Sequence, residues 1–89
     1  MKAADKRYCI TKTSPYTGRK HTTDPLTIAE AIDYFGYTLE CGKAYEHEKG
    51  NKKVNMNPKS ISSLMTALNN AGRNRAANGC GDYYTMTEA

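Results

Sequence analysis

Arg7-Tyr8-Cys9-Ile10-Thr11-Lys12-Thr13, running into Ser14-Pro15-Tyr16-Thr17-Gly18, is the stretch on which the reading of the fold turns. Its first seven residues are rich in β-formers and alternate, with Tyr8 and Ile10 on one face, which predicts a half-buried strand. Proline presets φ at the first turn position, and a glycine can take the left-handed conformation that closes a short hairpin loop. Arg19 to Thr23 is then the returning strand, wholly polar and so suited to a sheet edge. Tyr83 to Thr87 alternates in the same way and reads as a closing strand that pairs with the first.

Between these strands lie two helical patterns. Thr27-Ile28-Ala29-Glu30 has the form of a capping box, and Ile28, Ile32, Phe35 and Leu39 follow as one apolar stripe. Gly36 lies inside that stripe as a place to bend or break, and Gly42 is the expected stop. Asn57-Pro58 predicts the second start, asparagine as N-cap and proline at the first helical position. Ile61, Leu64, Met65, Leu68 and Ala71 form its stripe. Gly72 weakens its second half, and Asn78-Gly79 is the expected end. Lys43 to Asn57 has no periodicity and reads as a long polar connection, its end pinned to the core by Val54 and Met56. The sum is an α+β domain over residues 1–89: a small antiparallel sheet, N-terminal hairpin plus C-terminal strand, packed against two helices in the order β-β-α-α-β.

The core of such a domain is thin. Only ten of the 89 residues are Leu, Ile, Val or Phe, while seven tyrosines and four methionines supply other large apolar bodies. A chain this short buries a modest share of its surface, which favours a partner or a second copy and predicts a homodimer. Tyr8, Tyr34 and Tyr84 are expected to fill the leucine-poor core. Tyr16 at the turn tip and Tyr37 off the main stripe are the interface candidates.

The net charge of +4 is unevenly spread: +5 over residues 1–23, −4 over 24–42, +3 over 43–59 and neutral beyond. This pattern does not suit a uniform polyanion binder. Lys49, Lys52 and Lys53, interleaved with Tyr45 and Asn51, make the middle loop the leading contact surface, with Arg73 and Arg75 on the second helix extending it. Lysine neutralises phosphate, asparagine donates to phosphates or bases, and tyrosine stacks on an exposed base. The same surface suits an acidic protein face.

Signals for chemistry are weak. Cys9, Cys41 and Cys80 are odd in number and share no zinc-type spacing with His21 or His47, so free cysteines and no metal or other cofactor are expected. Glu46-His47-Glu48 reads as solvated charge and not as an acid–base site. No nucleophile turn frames the serines, and Gly79-Cys80-Gly81 follows a helix instead of opening one. No catalytic residue is assigned and no enzyme is expected. A sink for nucleotide signals at a dimer interface ranks below the two binding readings, because no phosphate-cradling loop is visible. With neither a signal-like apolar run nor a membrane span, a cytoplasmic setting is expected.

Tyr34-Phe35-Gly36-Tyr37-Thr38-Leu39-Glu40-Cys41-Gly42, with the lysine–asparagine loop and Asn57-Pro58-Lys59, resembles small accessory proteins encoded by bacteriophages. The resemblance is one of style over residues from about 6 to 87, and it carries no functional residue across. It implies a context: such proteins are often inhibitors of host systems, anti-CRISPR proteins among them. The partner implied is a host protein or nucleoprotein complex in the host cytoplasm. Many inhibitors that mimic DNA are strongly acidic and this chain is not, so covering an acidic surface or competing for a nucleic-acid groove suits it better.

Overall fold

The computed structural model describes residues 6–76 and 81–89. The expected hairpin forms from β1 (Tyr8–Thr13) and β2 (Lys20–Thr22), and β3 (Tyr83–Glu88) pairs antiparallel with the other side of β1, giving the order β2-β1-β3. At the turn, Gly18 takes φ 74°, its N–H donates to the Ser14 carbonyl at 2.9 Å, and the Ser14 N–H donates to Arg19 at 2.9 Å. Gly18 is therefore the left-handed residue that such a loop requires.

Alternation along β1 and its register with β3 sort the side chains into two faces. Tyr8, Ile10 and Lys12 share one face with Met86 and Tyr84; Cys9, Thr11 and Thr13 share the other with Thr87, Thr85 and Tyr83. Helices cover the first face, where Ile10 and Tyr84 are buried. The second face is rich in threonine, with a hydroxyl–hydroxyl hydrogen bond of 2.9 Å between Thr11 and Thr22.

The capping box forms as read. Glu30 N–H donates to the Thr27 hydroxyl at 3.2 Å, and Thr27 N–H donates to the Glu30 carboxylate at 2.9 Å. The helix then breaks at Phe35, so the first helical pattern yields two elements, α1 (Ile28–Tyr34) and α2 (Gly36–Ala44), and the order becomes β-β-α-α-α-β. Glycine at the break has little helical preference to oppose the bend. Phe35 drops into the core, its ring edge-on to Tyr84 at 5.9 Å. Tyr34, expected in that core, is instead 54% exposed and leans on Phe35 from outside.

Gly42 does not stop the helix, which continues to Ala44. It is the contact point between α2 and α3 (Ile61–Ala76), where a Cβ at Gly42 would collide with Ala71. The start of α3 also differs from expectation. Asn57 donates its N–H to the Asn55 side chain at 3.0 Å in a local turn, and Pro58 is buried ahead of the helix. Ser60 caps instead, its hydroxyl accepting from Ser63 N–H at 3.1 Å and its carbonyl from Leu64 N–H at 2.9 Å. An N-cap serine accepts in this way from the amide of the third helical residue, one of those with no carbonyl partner inside the helix. The expected end at Asn78-Gly79 lies outside the described residues.

Leu39, Val54, Leu64, Leu68 and the alanines at 31, 67 and 71 complete a core around Ile10, Phe35 and Tyr84. Val54 and Met56 hold the end of the long connection to it, as read from the sequence. Asn69 of α3 lies along the outer edge of β3. It accepts from Tyr84 N–H at 2.9 Å and donates to the Tyr84 carbonyl at 3.2 Å, standing in for one residue of a fourth strand. The molecule is flat, 42 × 28 × 16 Å. No helix among the described residues is long and apolar enough to cross a membrane.

Candidate interaction surface

The connection from α2 to α3 is polar in sequence but well ordered in its bonding. Tyr45, Glu46 and Glu48 continue beyond α2 as successive turns, with N–H donations of 3.1–3.2 Å to Gly42, Lys43 and Tyr45. Asn51 N–H donates to Glu48 at 3.1 Å after a reversal at Gly50, which takes φ 83°. The Asn51 side chain donates back to the Tyr45 carbonyl. The far end of this turn thus satisfies a backbone carbonyl at its beginning.

From Lys52 the chain runs along α3, held by two asparagines one helical turn apart. Asn74, with no solvent exposure, accepts from Lys52 N–H at 2.8 Å and donates to the carbonyls of Lys52 at 2.7 Å and Gly42 at 3.0 Å. Asn70 donates to the Lys53 carbonyl at 3.1 Å. Glu46 adds a third tie: one carboxylate oxygen accepts from Val54 N–H at 3.1 Å and the other from the Lys43 ammonium at 3.2 Å. These bonds hold the Glu46 carboxyl below its usual range, the Val54 N–H contributing most. A buried carboxamide that satisfies three backbone groups fixes the loop, because leaving any of them bare would cost stability.

Lys49, Lys52 and Lys53 therefore project from a held backbone, all three exposed, while Tyr45 and Asn51 are half-buried supports. Beside Lys53 runs an open groove of about 420 Å³ lined by Asn55, Thr66, Ala67 and Asn70. The arginines do not join this group. Asn70 and Asn74 face the loop, whereas Arg73 lines a separate pocket with Asn69, Gly72 and Tyr83 on another flank of α3. Arg75 exerts its positive field on Tyr37 and Tyr84. The sequence-predicted basic patch divides into a lysine platform and two arginines turned elsewhere.

Tyr16 at the hairpin tip and Tyr37 on α2 are 62% and 77% exposed, as the interface reading requires. A hydrogen bond with Cys41 pushes the Tyr37 phenol above its ordinary value. Burial pushes Tyr84 up to about 12, with Asp82 adding to the shift and Arg75 and a bond to Thr38 opposing it. Cys9 and Cys41 are free thiols; Cys80 lies outside the described residues. Among the described residues no three His, Cys, Asp or Glu side chains gather as metal ligands.

Sequence reasoning missed Asn69, Asn70 and Asn74. The available signal was the presence of three asparagines inside a helical pattern, where asparagine is a poor former and needs another reason to be there. No family model, curated protein or solved structure matches this chain.

Proposed function

We propose that the chain is a non-enzymatic binding protein that occupies the surface of a host protein or nucleoprotein complex, with the lysine platform as its contact face. The observation that carries this reading is the buried Asn74 carboxamide, which fixes the backbone of Lys52 before any partner arrives. A preformed surface loses less conformational freedom on binding than a loop that must order itself. Three exposed lysines on such a surface favour an acidic partner face and raise the encounter rate. The phage-like style of residues 34–42 and 57–59 supports the concrete version, an anti-defence inhibitor acting in the host cytoplasm.

The test is co-elution with purified host defence complexes on a sizing column, paired with their activity. Binding and inhibition by the native chain, both lost in Lys52→Glu/Lys53→Glu with unchanged thermal unfolding, are expected. No co-elution and no loss of activity with any complex would overturn the reading.

A second reading, nucleic-acid binding through the same platform, is favoured by the groove of Lys53, Asn55 and Asn70, which sets a cation beside two carboxamides. It predicts retardation of labelled RNA or DNA that weakens steeply with salt, because neutralised phosphates release counterions. Retardation unchanged by the same double substitution would exclude this surface.

A further inference from the structure

A second recess lies on the other flank of α3, away from the lysine platform. It has a volume of about 220 Å³ and is walled by Pro15 of the hairpin turn, Gly72 and Arg73 of α3, Gly81 and Asp82 just ahead of β3, and Tyr83 at its start. Its walls are mainly apolar, and its polar groups are few and of distinct kinds. Arg73, which is exposed, brings a guanidinium, and Asp82 supplies a carboxylate. The Asn69 carboxamide is engaged by the Tyr84 backbone and the Met65 carbonyl, which fixes that wall. An apolar recess with a few convergent polar groups is the usual form of a small-ligand site.

Tyr83 decides what would fit. It is 49% exposed on the threonine-bearing face of the sheet, and the register places it beside Thr13, which is itself opposite Lys20. Arg73 lines the same recess as this half-exposed ring, and Lys20 lies one strand beyond its neighbour Thr13. Thr85 lies on the same face two residues along β3. An aromatic ring on an open sheet face, with a cation in the same recess and hydroxyls alongside, is suited to stacking a base while its phosphate is neutralised. The recess is large enough for one flat ring and too small for a duplex. Asp82 can accept from the N–H groups on the edge of a base, which a prolyl or aliphatic side chain lacks.

We propose that this recess binds a single unpaired nucleotide, its base against Tyr83 and its phosphate at Arg73. The site goes beyond the platform reading, uses none of its lysines, and stands or falls separately from it. The nucleotide is either free or one residue of a single strand, and the two sources share the chemistry.

The test is a backbone amide titration by heteronuclear NMR with AMP, GMP, CMP and UMP, with a five-nucleotide single strand, and with inorganic phosphate and an uncharged tyrosine- and proline-containing peptide as comparators. Saturable shifts at Gly72, Asp82 and Tyr83 are expected with at least one nucleotide. Arg73→Gln is expected to weaken them about tenfold, and Tyr83→Leu to do the same through lost stacking. Because Arg73 is exposed, its variant keeps the fold and tests the site even if the Tyr83 variant does not. Tyr83→Phe should retain binding, and Lys52→Glu/Lys53→Glu should leave these shifts in place. Tighter binding of the strand would assign the site to a chain residue, and tighter binding of a monophosphate to a free nucleotide. Absence of shifts with every nucleotide and the strand, shifts unaltered in Arg73→Gln, or equal filling by the uncharged peptide would overturn the proposal.

Discussion

Asn74 holds two stretches of backbone at once, the end of α2 through Gly42 and the loop through Lys52. Replacing it by alanine leaves an N–H and two carbonyls without that partner in a place water reaches poorly. Asn74→Ala is expected to cost about 2–4 kcal/mol in urea unfolding, against under about 1 kcal/mol for Asn70→Ala, which loses a single bond. Equal costs would show that burial of Asn74 does not set its weight. Glu46 makes the same loop sensitive to acid. Its folded-state pKa lies below the unfolded value, so its contribution is present above the ordinary carboxylate range and is lost as pH falls through the folded value. Glu46→Gln should flatten the acid limb of stability against pH, measured by thermal unfolding. Tyr84 acts at the other end of the scale. Its folded pKa is raised to about 12, so its stabilisation is whole below the unfolded value of 10.0 and declines as pH rises toward the folded one. Tyr84→Phe should remove that alkaline decline.

The helices show two glycines with opposite consequences. A Cβ at Gly42 meets Ala71 across the α2–α3 contact, whereas one at Gly36 meets nothing within 4 Å. Gly42→Ala should therefore destabilise by about 1–3 kcal/mol through overpacking. Gly36→Ala should be neutral or stabilise by up to about 1 kcal/mol through helix propensity and a less flexible unfolded chain. The same pair shows what a sequence pattern carries. Both glycines were visible, and Gly36 was read correctly as a break because glycine weakens a helix from within. Gly42 was misread as a stop, because the reason for it lies on a neighbouring helix that no local pattern displays. The strands and the capping box were legible since their signals are local: alternation, Pro15 to Gly18, and Thr27 with Glu30. The true start of α3 was hidden by a strong but misleading Asn57-Pro58 signal that the ordinary Ser60 overrode. The lysines of the platform were legible as charge, but their anchorage was not, for it depends on side chains of α3 reaching across to a distant backbone.

For the molecule as a whole, the expected homodimer would use the outward side of α1 and α2, where Tyr34 and Tyr37 stand exposed. Light scattering at high concentration is expected to exceed the mass of one chain; a 9.9 kDa particle would count against the dimer. The lysine platform and the Tyr83 recess lie on different flanks of α3, so one substitution in each separates their effects. Closing the sheet sets a further condition. Lys6 pairs with Glu88 at 3.3 Å, and Ala89 N–H donates to Arg7 at 2.9 Å, so β1 and β3 bring the beginning and end of the described chain together. That pairing is the most distant in sequence and is entropically the slowest to assemble. A few flexible residues linking these neighbouring ends, with new termini cut at the exposed Lys49-Gly50 reversal, would make the strand pairing local. Such a circular permutant should refold faster than the native order while keeping the Tyr83 recess, which lies away from the cut.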